Sequence, residues 1–469
     1  MGCNNGYINR CNSSLSCGIS NTLVKKLIAE KCGETTEEDI VIPVPDPDPI
    51  PDPDDGEIVE PPWPPELVLP VKLKAETESY GELPVFINFV GGSALVDFGD
   101  GSEVLEYTDS VEHTYPASPV EGEMVAYTIT LTPTSRIPML YTDIRELTDW
   151  GSAGSVKRFR FSHMSPSVPA SLPSWIKDTS YMFYGCRGFN SDISGWDVSN
   201  VTNMEYMLFQ CSSLNSDLGG WDVSKVTNMK YMLSECHGHL GTFENWDVSS
   251  VTDMSHMFDS ANIATYANLS QWDVSNVTDM SYLLAGIQSS HNFNSDLSKW
   301  NTSKVTNMSH MFYRCYSLFD KNSSVGNWSL EKWDVSKVTN MEGMFHSCFN
   351  GVSSNISRWK TGNVTNMKEM FAGCQNMNHL TFWDTSKVTT MEGMFEDAYQ
   401  FNSDISNWDV SNVVNMTRMF KGVQWMVVSL DKWCVENIRE EPLWFAPDAD
   451  YMPEENKPVW GTCPIREVR

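Results

Sequence analysis

A unit of about 25 residues repeats along more than half of the chain, and it constrains the fold more than any other feature. Each unit has one tryptophan at a constant place, and these are Trp196, Trp221, Trp246, Trp272, Trp300, Trp333, Trp359, Trp383, Trp408 and Trp433. Seven of the nine steps between them are 24 to 26 residues long. Such a period is typical of a solenoid, in which each unit buries its apolar face against the next. The sequence therefore predicts a repeat solenoid over residues 181–435.

The apolar positions within a unit indicate how the unit packs. Its consensus is Trp-Asp-Val-Ser-x-Val-Thr-x-Met-x-x-Met-Phe-x-x-Cys. The segment that ends at Trp196 is predicted to be a short strand. After it, Val201, Met204, Met207 and Cys211 follow at spacings of three and four, which predicts one face of a helix. The flexible methionine side chains are expected to fill the space between the strand layer and the helix layer.

The chain contains 12 cysteines, and they fall into two groups. Six occupy one place in the unit, after the Met-Phe pair: Cys186, Cys211, Cys236, Cys315, Cys348 and Cys374. Other units have Ala, Ile or Val at this place, so we interpret it as a small buried apolar position. The other six lie at the two ends of the chain, and the sequence leaves their pairing open: Cys3, Cys11, Cys17, Cys32, Cys434 and Cys463.

The segments outside the repeats differ in composition and suggest separate roles. Residues 1–40 form a Cys-rich N-terminal anchor with a short predicted helix, and residues 41–66 are rich in Pro and Asp. Such a Pro-rich stretch is typical of an extended polyproline stalk that holds its two ends apart. Residues 134–180 are predicted to be a connector with a cap rung. Residues 436–469 are predicted to be a C-terminal cap and tail.

Residues 67–133 have short runs of β-branched and aromatic residues separated by Asp-Gly turns, which is typical of a β-sandwich. They include Val-Asp-Phe-Gly-Asp-Gly-Ser at 96–102, then His-Thr-Tyr at 113–115 and a Tyr-Thr-Ile-Thr-Leu strand. This pattern resembles the PKD domain, which implies an immunoglobulin-like spacer found in surface and virion proteins. We interpret Asp97 and Asp100 as turn-stabilising residues, with calcium binding as the alternative.

The repeat consensus resembles the BspA-like branch of leucine-rich-repeat surface proteins over about residues 175–435. The resemblance implies a right-handed solenoid with a parallel sheet along one side. Members of this family are mostly bacterial surface adhesins, similar arrays occur in phage structural proteins, and nothing in the family implies catalysis. The predicted fold is therefore multidomain: a PKD-like β-sandwich followed by a right-handed leucine-rich-repeat-like α/β solenoid of about ten 25-residue rungs.

The sequence contains no arrangement typical of an active site. The aspartate after each tryptophan recurs as a ladder, and Asn301 and Lys360 replace it in two units, so a role in a turn is favoured over catalysis. The position before the second methionine holds residues as different as Tyr206, His256 and Glu369, which indicates a solvent-exposed position. We expect no enzymatic activity, no cofactor and no bound metal.

The charge of the chain narrows the classes of partner. A formal net charge of -29 argues against nucleic acid and against anionic membrane surfaces, because both are bound through Lys and Arg. We interpret the acidic surface as a source of solubility, with divalent-cation binding as the alternative. No apolar stretch is long enough to predict a membrane span. The first residues lack the pattern of a secretory signal, so we expect either a removed leader or a destination reached without export.

Two steps of the repeat are long, which places extra loop in the middle of the array. The longer insertion is Leu-Phe-Asp-Lys-Asn-Ser-Ser-Val-Gly-Asn-Trp-Ser-Leu at residues 318–330. Insertions in a solenoid fall on one face and often supply its binding surface. Trp328, with Lys321 and Asn327, is therefore the candidate binding loop. Its indole either stacks on a sugar or a protein partner, or folds back onto the neighbouring rung.

These features together predict a non-enzymatic structural or adhesion protein. The prediction is display on a phage virion, as a head fibre, decoration or tail-associated protein. The N-terminal segment would bind capsid or tail proteins, and the solenoid would bind a carbohydrate or protein on the host surface. The alternative is a bacterial cell-surface or secreted adhesin of the BspA-like type. The sequence leaves head or tail location and homo-oligomerisation open.

Overall fold

The computed structural model describes eleven stretches of the chain, all within one compact unit, Glu60–Arg469. They are residues 69–77, 83–118, 124–153, 156–263, 267–287, 295–315, 330–348, 356–374, 380–424, 426–447 and 452–464. Three sequence predictions lie outside the described residues. They are the anchor at 1–40, the stalk at 41–66 and the loop with Lys321, Asn327 and Trp328.

Seven strands before the repeats form one hydrogen-bonded sheet. They are β1 (Val71–Thr77), β2 (Leu83–Asp97), β3 (Leu105–Tyr115), β4 (Val125–Pro133), β5 (Ile137–Thr142), β6 (Glu146–Trp150) and β7 (Val156–Phe161). Their order is β6-β1-β4-β2-β5-β7, and β3 also pairs with β2. Strand β2 pairs with β5 before its register shift, between Phe89 and Ser93, and with β4 after it. Because one strand serves two sets of neighbours, the sheet curls around its own apolar side chains.

The sheet extends beyond the end predicted from sequence. Residues 134–161, predicted to belong to a connector, contain β5, β6 and β7 of the same sheet. All seven strands are hydrogen-bonded into one sheet, and the predicted sandwich stays a prediction. The boundary was missed because β5 and β7 pair in parallel, and a parallel pair has no hairpin turn to mark it in the sequence. The likeness to a PKD domain stays a proposal.

Two aspartates organise the turn after β2. The Asp97 carboxylate accepts a hydrogen bond from the Gly99 N–H at 2.8 Å, and the Asp100 carboxylate accepts one from the Ser102 N–H at 3.0 Å. Asp100 also contacts His113 Nε2 at 2.8 Å. Hydrogen bonds from Ser102, assisted by His113, lower the pKa of Asp100 to about 2. These contacts are those of turn-stabilising aspartates.

The repeats stack as rungs built from turns and single β-bridges. Nine consecutive parallel bridges join one residue of each rung to the next among the described residues. The linked residues are Asp178, Asn203, Asn228, Asp253, Asp279, Asn307, Asn340, Asn366, Thr390 and Asn415. In the first rung, alternate N–H groups of residues 179–185 donate to carbonyl oxygens of residues 203–209 at 2.9–3.0 Å. Each rung is therefore bonded to its neighbour through its backbone.

A threonine one residue before most of the bridged residues adds to this bonding. The Thr227 N–H donates to the Thr202 carbonyl oxygen at 2.8 Å, and the Thr227 hydroxyl donates to the same oxygen at 3.2 Å. Both bonds recur from rung to rung as far as Thr389. In the last rung Val414 donates only its N–H, to the Thr389 carbonyl. The recurring Val-Thr pair of the sequence thus holds adjacent rungs in register.

The helix predicted in each unit is not present, so the prediction of an α/β solenoid was wrong in its helical layer. The described residues contain no α-helix, and in residues 201–211 they form successive turns. Tyr206 and Gln210 have φ of 54° and 59°, which a right-handed helix does not allow. Half of the N–H groups bond to the next rung, so only short i to i-3 bonds remain within the rung. A spacing of three and four fits these turns as well as a helix. The segment that ends at Trp196 is a turn rather than the predicted strand.

The tryptophan of every unit joins its rung to an earlier one. At all ten positions the indole N–H donates to a main-chain carbonyl of the preceding unit, at 2.9–3.1 Å. The rings lie in register, as for Trp359 and Trp383, whose centroids are 6.2 Å apart and nearly parallel. Met204, Met207 and Cys211 are fully buried beside them. These residues form the apolar interior of the stack.

The six cysteines at the repeat position are buried free thiols. The Cys211 Sγ is 3.2 Å from the Phe183 carbonyl oxygen of the rung before it, and the Cys186 Sγ is 3.3 Å from the Phe161 carbonyl oxygen of β7. Burial raises the pKa of the Cys186 and Cys236 thiols to about 12. A thiol with such a raised pKa is almost entirely protonated at neutral pH and is therefore unreactive.

The sheet covers the first rung and a folded tail covers the last. At the first, the Phe161 N–H of β7 donates to the Met182 carbonyl at 2.9 Å, and the Phe161 ring stacks on Phe183 at 5.5 Å. Trp175, predicted to begin a cap rung, is out of register, because the bridge from residue 178 to 203 places Ser171 opposite Trp196. At the other end a disulfide joins Cys434 to Cys463.

We expect Gly238→Ala to lower the free energy of unfolding by about 1–3 kcal/mol, because a Cβ there would overlap the Leu214 carbonyl oxygen. Gly220→Ala is the matched control, since a Cβ at Gly220 meets nothing within 4 Å. Urea unfolding of the two variants and the parent measures the difference. Equal stability of the two variants would contradict this placement of the 238 backbone.

Candidate binding surface

One position in each rung lies on the outside of the stack and has a left-handed backbone. It is the position before the second methionine, and φ there lies between 52° and 59° in all ten rungs. Its residues are Tyr181, Tyr206, Tyr231, His256, Tyr282, His310, Gly343, Glu369, Gly393 and Arg418. A positive φ is unfavourable for residues other than glycine, so the rung must stabilise it. The bonds of these N–H groups to the next rung, such as Tyr206 to Lys230 at 2.8 Å, contribute this stabilisation.

The first six of these residues form what we call the aromatic column: Tyr181, Tyr206, Tyr231, His256, Tyr282 and His310. Successive ring centroids are 4.8, 4.3, 4.0, 4.2 and 4.4 Å apart, and no pair is tilted by more than 22°. Stacked rings at such distances attract each other beyond the area that they bury. The faces of the rings are therefore covered by their neighbours, so that Tyr181 and Tyr206 are buried and the other four rings are half-buried.

A second line of side chains, three residues further along each rung, flanks the aromatic column. Tyr184 and Phe209 stack at 4.9 Å. His256 in the column contacts Asp259 in the second line at 3.0 Å. The Arg160 guanidinium of β7 lies 5.4 Å from the centre of the Tyr184 ring, within the range of a cation–π contact. The column thus has an aromatic and polar border.

The same face is charged over the last rungs. Arg418 bonds to Glu392 at 2.8 Å, to Glu396 at 3.1 Å and to Glu369 at 3.3 Å. Lys421 bonds to Glu396 at 2.7 Å. Burial raises the pKa of the Glu369 carboxyl, against the effect of the nearby cations. Three carboxylates thus share two cations, and this network holds the long side chains in place along the rungs.

His310 ends the column in an unusual electrostatic setting. Burial, with smaller contributions from His346 and His256, lowers the pKa of His310 to about 4. Among the described residues, its buried Nδ1 has no hydrogen-bond partner. The imidazole is therefore neutral in the folded protein at neutral pH.

We expect His310→Phe to reduce the loss of stability on acidification. An unfolded histidine titrates near its ordinary pKa of 6.5, whereas folded His310 titrates near 4. As pH falls through this window the unfolded state takes up the proton first, so stability falls, by on the order of 1–2 kcal/mol between pH 7 and 5. Phenylalanine keeps the stacked ring and removes the titrating imidazole, so this pH-dependent loss of stability should disappear. Urea unfolding at several pH values measures it, and the same slope in both proteins would contradict the assignment.

The aspartates that follow the tryptophans are turn residues. The Asp197 carboxylate accepts the Ser199 N–H at 3.0 Å, and the same bond recurs in the rungs of Asp222, Asp384 and Asp409. Hydrogen bonds from Ser199 lower the pKa of Asp197. Among the described residues, no group of three or more His, Cys, Asp or Glu side chains is arranged to hold a metal ion.

The candidate surface differs from the residues that the sequence indicated. The tryptophans and Met204, Met207 and Cys211 lie inside the stack, and Lys321, Asn327 and Trp328 lie outside the described residues. The variable position before the second methionine was interpreted as solvent-exposed, yet its rings are partly buried against each other. The recurrence of Tyr or His at this position in six consecutive rungs was the available signal. The signal was missed because stacking depends on the register between rungs.

A protein-family profile described as "Mycoplasma protein of unknown function, DUF285" matches residues 172–262, 236–348 and 348–452. The three matches span the rungs and cover more than half of the chain. They are consistent with an array of BspA-like repeats. No curated protein and no solved structure matches the chain at a significant level. Within the described part of the chain, no helix has the length and apolar character needed to cross a bilayer.

Proposed function

Because the chain belongs to the DUF285 family, we propose that it is a non-enzymatic surface repeat protein whose solenoid binds a carbohydrate or protein on a cell envelope. The observation that carries the proposal is the aromatic column. It runs over six consecutive rungs, and the rungs are held in register by backbone, threonine and tryptophan bonds. This row of aligned rings, four of them half-buried, offers a partner a preformed surface that requires no ordering of loops.

The binding proposal is tested with the full chain on a glycan array and on intact bacterial cells. We expect the double variant Tyr231→Ala, Tyr282→Ala to bind at least about tenfold more weakly, as expected for the loss of aromatic anchors. Val414→Ala is the control, because Val414 is 63 % exposed and lies off the column. Unchanged binding by a folded double variant would place the binding surface elsewhere on the solenoid.

The finer proposal is display on a phage virion, as a head fibre, decoration or tail-associated protein. In this proposal residues 1–40 bind capsid or tail proteins and the solenoid is directed towards the host. Its support is the order of segments in the sequence: a Cys-rich segment, a Pro-Asp stretch, a β-domain and then the repeats. A spacer between the N-terminal segment and the repeats is expected if the two have different roles.

The second candidate is a bacterial cell-surface adhesin of the BspA-like type. It is favoured by the description of the matching family, which names a cellular organism. Immunogold labelling distinguishes the two candidates, since label on purified phage particles supports the virion and label on the bacterial envelope supports the adhesin. Deletion of residues 1–40 should abolish incorporation in either location. A deleted chain that still incorporates normally would assign anchoring to another segment.

A further inference from the structure

One rung departs from the turn pattern of the others, and an open depression of about 620 Å³ lies there. Where most units have Asp-Val-Ser after the tryptophan, this rung has Lys360, Thr361 and Gly362. Thr361 is fully buried, and its hydroxyl donates to the Asp384 carbonyl oxygen at 2.9 Å. A Cβ at Gly362 would lie 2.6 Å from the Asp384 carboxylate, so the glycine lets that carboxylate lie close against the backbone of this turn.

An exposed phenyl ring forms part of the wall of the depression. Phe382 is 83 % exposed, more than any other large apolar side chain among the described residues. It occupies the place just before the tryptophan, where the other nine units have Gly, Asn, Gln, Lys or Arg. The stack therefore does not need an apolar residue there. The exposed face of the ring is therefore available to pack against the apolar face of a ligand in the depression.

Cations and amide groups form the rest of the lining. Arg358 lies at the same place as Phe382 in the preceding rung, and its side chain is 76 % exposed although it pairs with Glu331 at 2.9 Å. Lys360 replaces the aspartate of most other units, which reverses the charge of this turn within a chain of net charge -29. The Asn363 side chain donates to the Ser336 carbonyl at 2.7 Å, which orients its amide along the rim.

We propose that this depression binds an acidic sugar, that is, a pyranose ring that carries a carboxylate. The apolar C–H face of the pyranose packs on Phe382, and its carboxylate accepts hydrogen bonds from Arg358 and Lys360. Arg358 has five N–H donors, so its pairing with Glu331 leaves others for the ligand. Asp384 and Asn363 also line the depression. Since the Asp384 Oδ1 already accepts from Ser386 and the Asn363 Oδ1 from Lys387, the Asp384 Oδ2 is the atom that would accept from a sugar hydroxyl. This inference rests on the proposed function, for which it specifies a ligand class and a second site.

The experiment titrates the full chain with tri-galacturonate and with the neutral tri-galactose by calorimetry. We expect binding of the acidic sugar, with Phe382→Ala and Lys360→Asp each weakening it at least about tenfold. Asn407→Ala is the matched control, because Asn407 occupies the place of Phe382 in the next unit. Thermal unfolding checks that each variant is folded, which the exposure of Phe382 favours.

No binding of the acidic sugar, equal binding of the neutral sugar, or unchanged binding by folded Phe382→Ala and Lys360→Asp would each overturn the inference. The proposed function is judged separately, by the Tyr231 and Tyr282 double variant on cells. Loss of cell binding in that variant with no sugar binding here would remove only the inference. Sugar binding here with unchanged cell binding by that variant would remove only the role of the aromatic column.

Discussion

Trp272→Ala is expected to lower the free energy of unfolding by about 3–5 kcal/mol, the range found for large aromatic residues removed from a core. The Trp272 side chain is 4 % exposed, and its ring stacks on Trp246 at a centroid distance of 6.3 Å. Its indole N–H donates to the Phe243 carbonyl oxygen at 2.9 Å. Removal therefore leaves a cavity in the middle of the array and removes one hydrogen bond to the Phe243 carbonyl oxygen, which still accepts the Trp246 N–H.

Trp272→Phe separates the two contributions. Phenylalanine keeps most of the ring and removes the N–H, so we expect a smaller loss of about 1–3 kcal/mol. Phe382→Ala is the control for an aromatic residue that is not part of the stack, since Phe382 is 83 % exposed. Urea unfolding measures the three variants, and hydrogen exchange shows whether the loss is confined to adjoining rungs. A loss below about 1 kcal/mol for Trp272→Ala would mean that the tryptophan is not a main source of stability.

Removal of the Cys434–Cys463 disulfide by a double Ala substitution is expected to lower the free energy of unfolding by about 3.5 kcal/mol, from the entropy of the released chain. The two cysteines are 29 residues apart in sequence. Between them the tail folds back onto the last rungs. The Leu430 N–H donates to the Asn456 carbonyl at 2.7 Å, and the Val435 N–H donates to the Thr462 carbonyl at 2.8 Å. We expect the loss to be greatest in the C-terminal rungs, which this tail covers.

Cys236→Ala is the matched control for loss of a cysteine from the interior. Other units have alanine at that place, as at Ala261 and Ala398, so the stack accommodates the smaller side chain. We expect a loss of less than about 1.5 kcal/mol. Unfolding under oxidising conditions measures both. If the double variant unfolds at the same urea concentration as the parent, the disulfide does not stabilise the cap, and a reducing agent should then have no effect on the parent either.

The sheet and the rungs differ in how far sequence patterns predict them. In β2 buried residues alternate with half-buried or exposed ones, so the sequence could predict Val85, Ile87 and Phe89 as one face of a strand. Strands β5 and β7 were not readable, because their parallel pairing is set by distant segments. In the rungs the spacing of Met204, Met207 and Cys211 was misread as helical. Turns with two positive-φ residues four positions apart in a rung give the same apolar face, and the sequence has no glycine at most of those positions to reveal them.

The candidate surfaces could also be predicted only in part from the sequence. Phe382 and Lys360 are visible in the sequence as departures from the repeat, but the sequence does not say that a depression lies between them. The aromatic column was less visible, because Tyr231, His256 and Tyr282 are 25 or 26 residues apart in the chain. Only the register of the bridges brings their rings to 4.0 and 4.2 Å.

The sequence by itself determined the length of the repeat unit and which places in it recur as apolar, polar or small. It could do so because each rung has the same local environment as the next, so the same side chain suits every copy. The tertiary structure alone decided the backbone path within a rung. An N–H group that donates to a neighbouring rung cannot donate within its own, and that choice depends on residues about 25 positions away. The stacking of Tyr206 on Tyr231, and with it the candidate binding surface, is a consequence of this path.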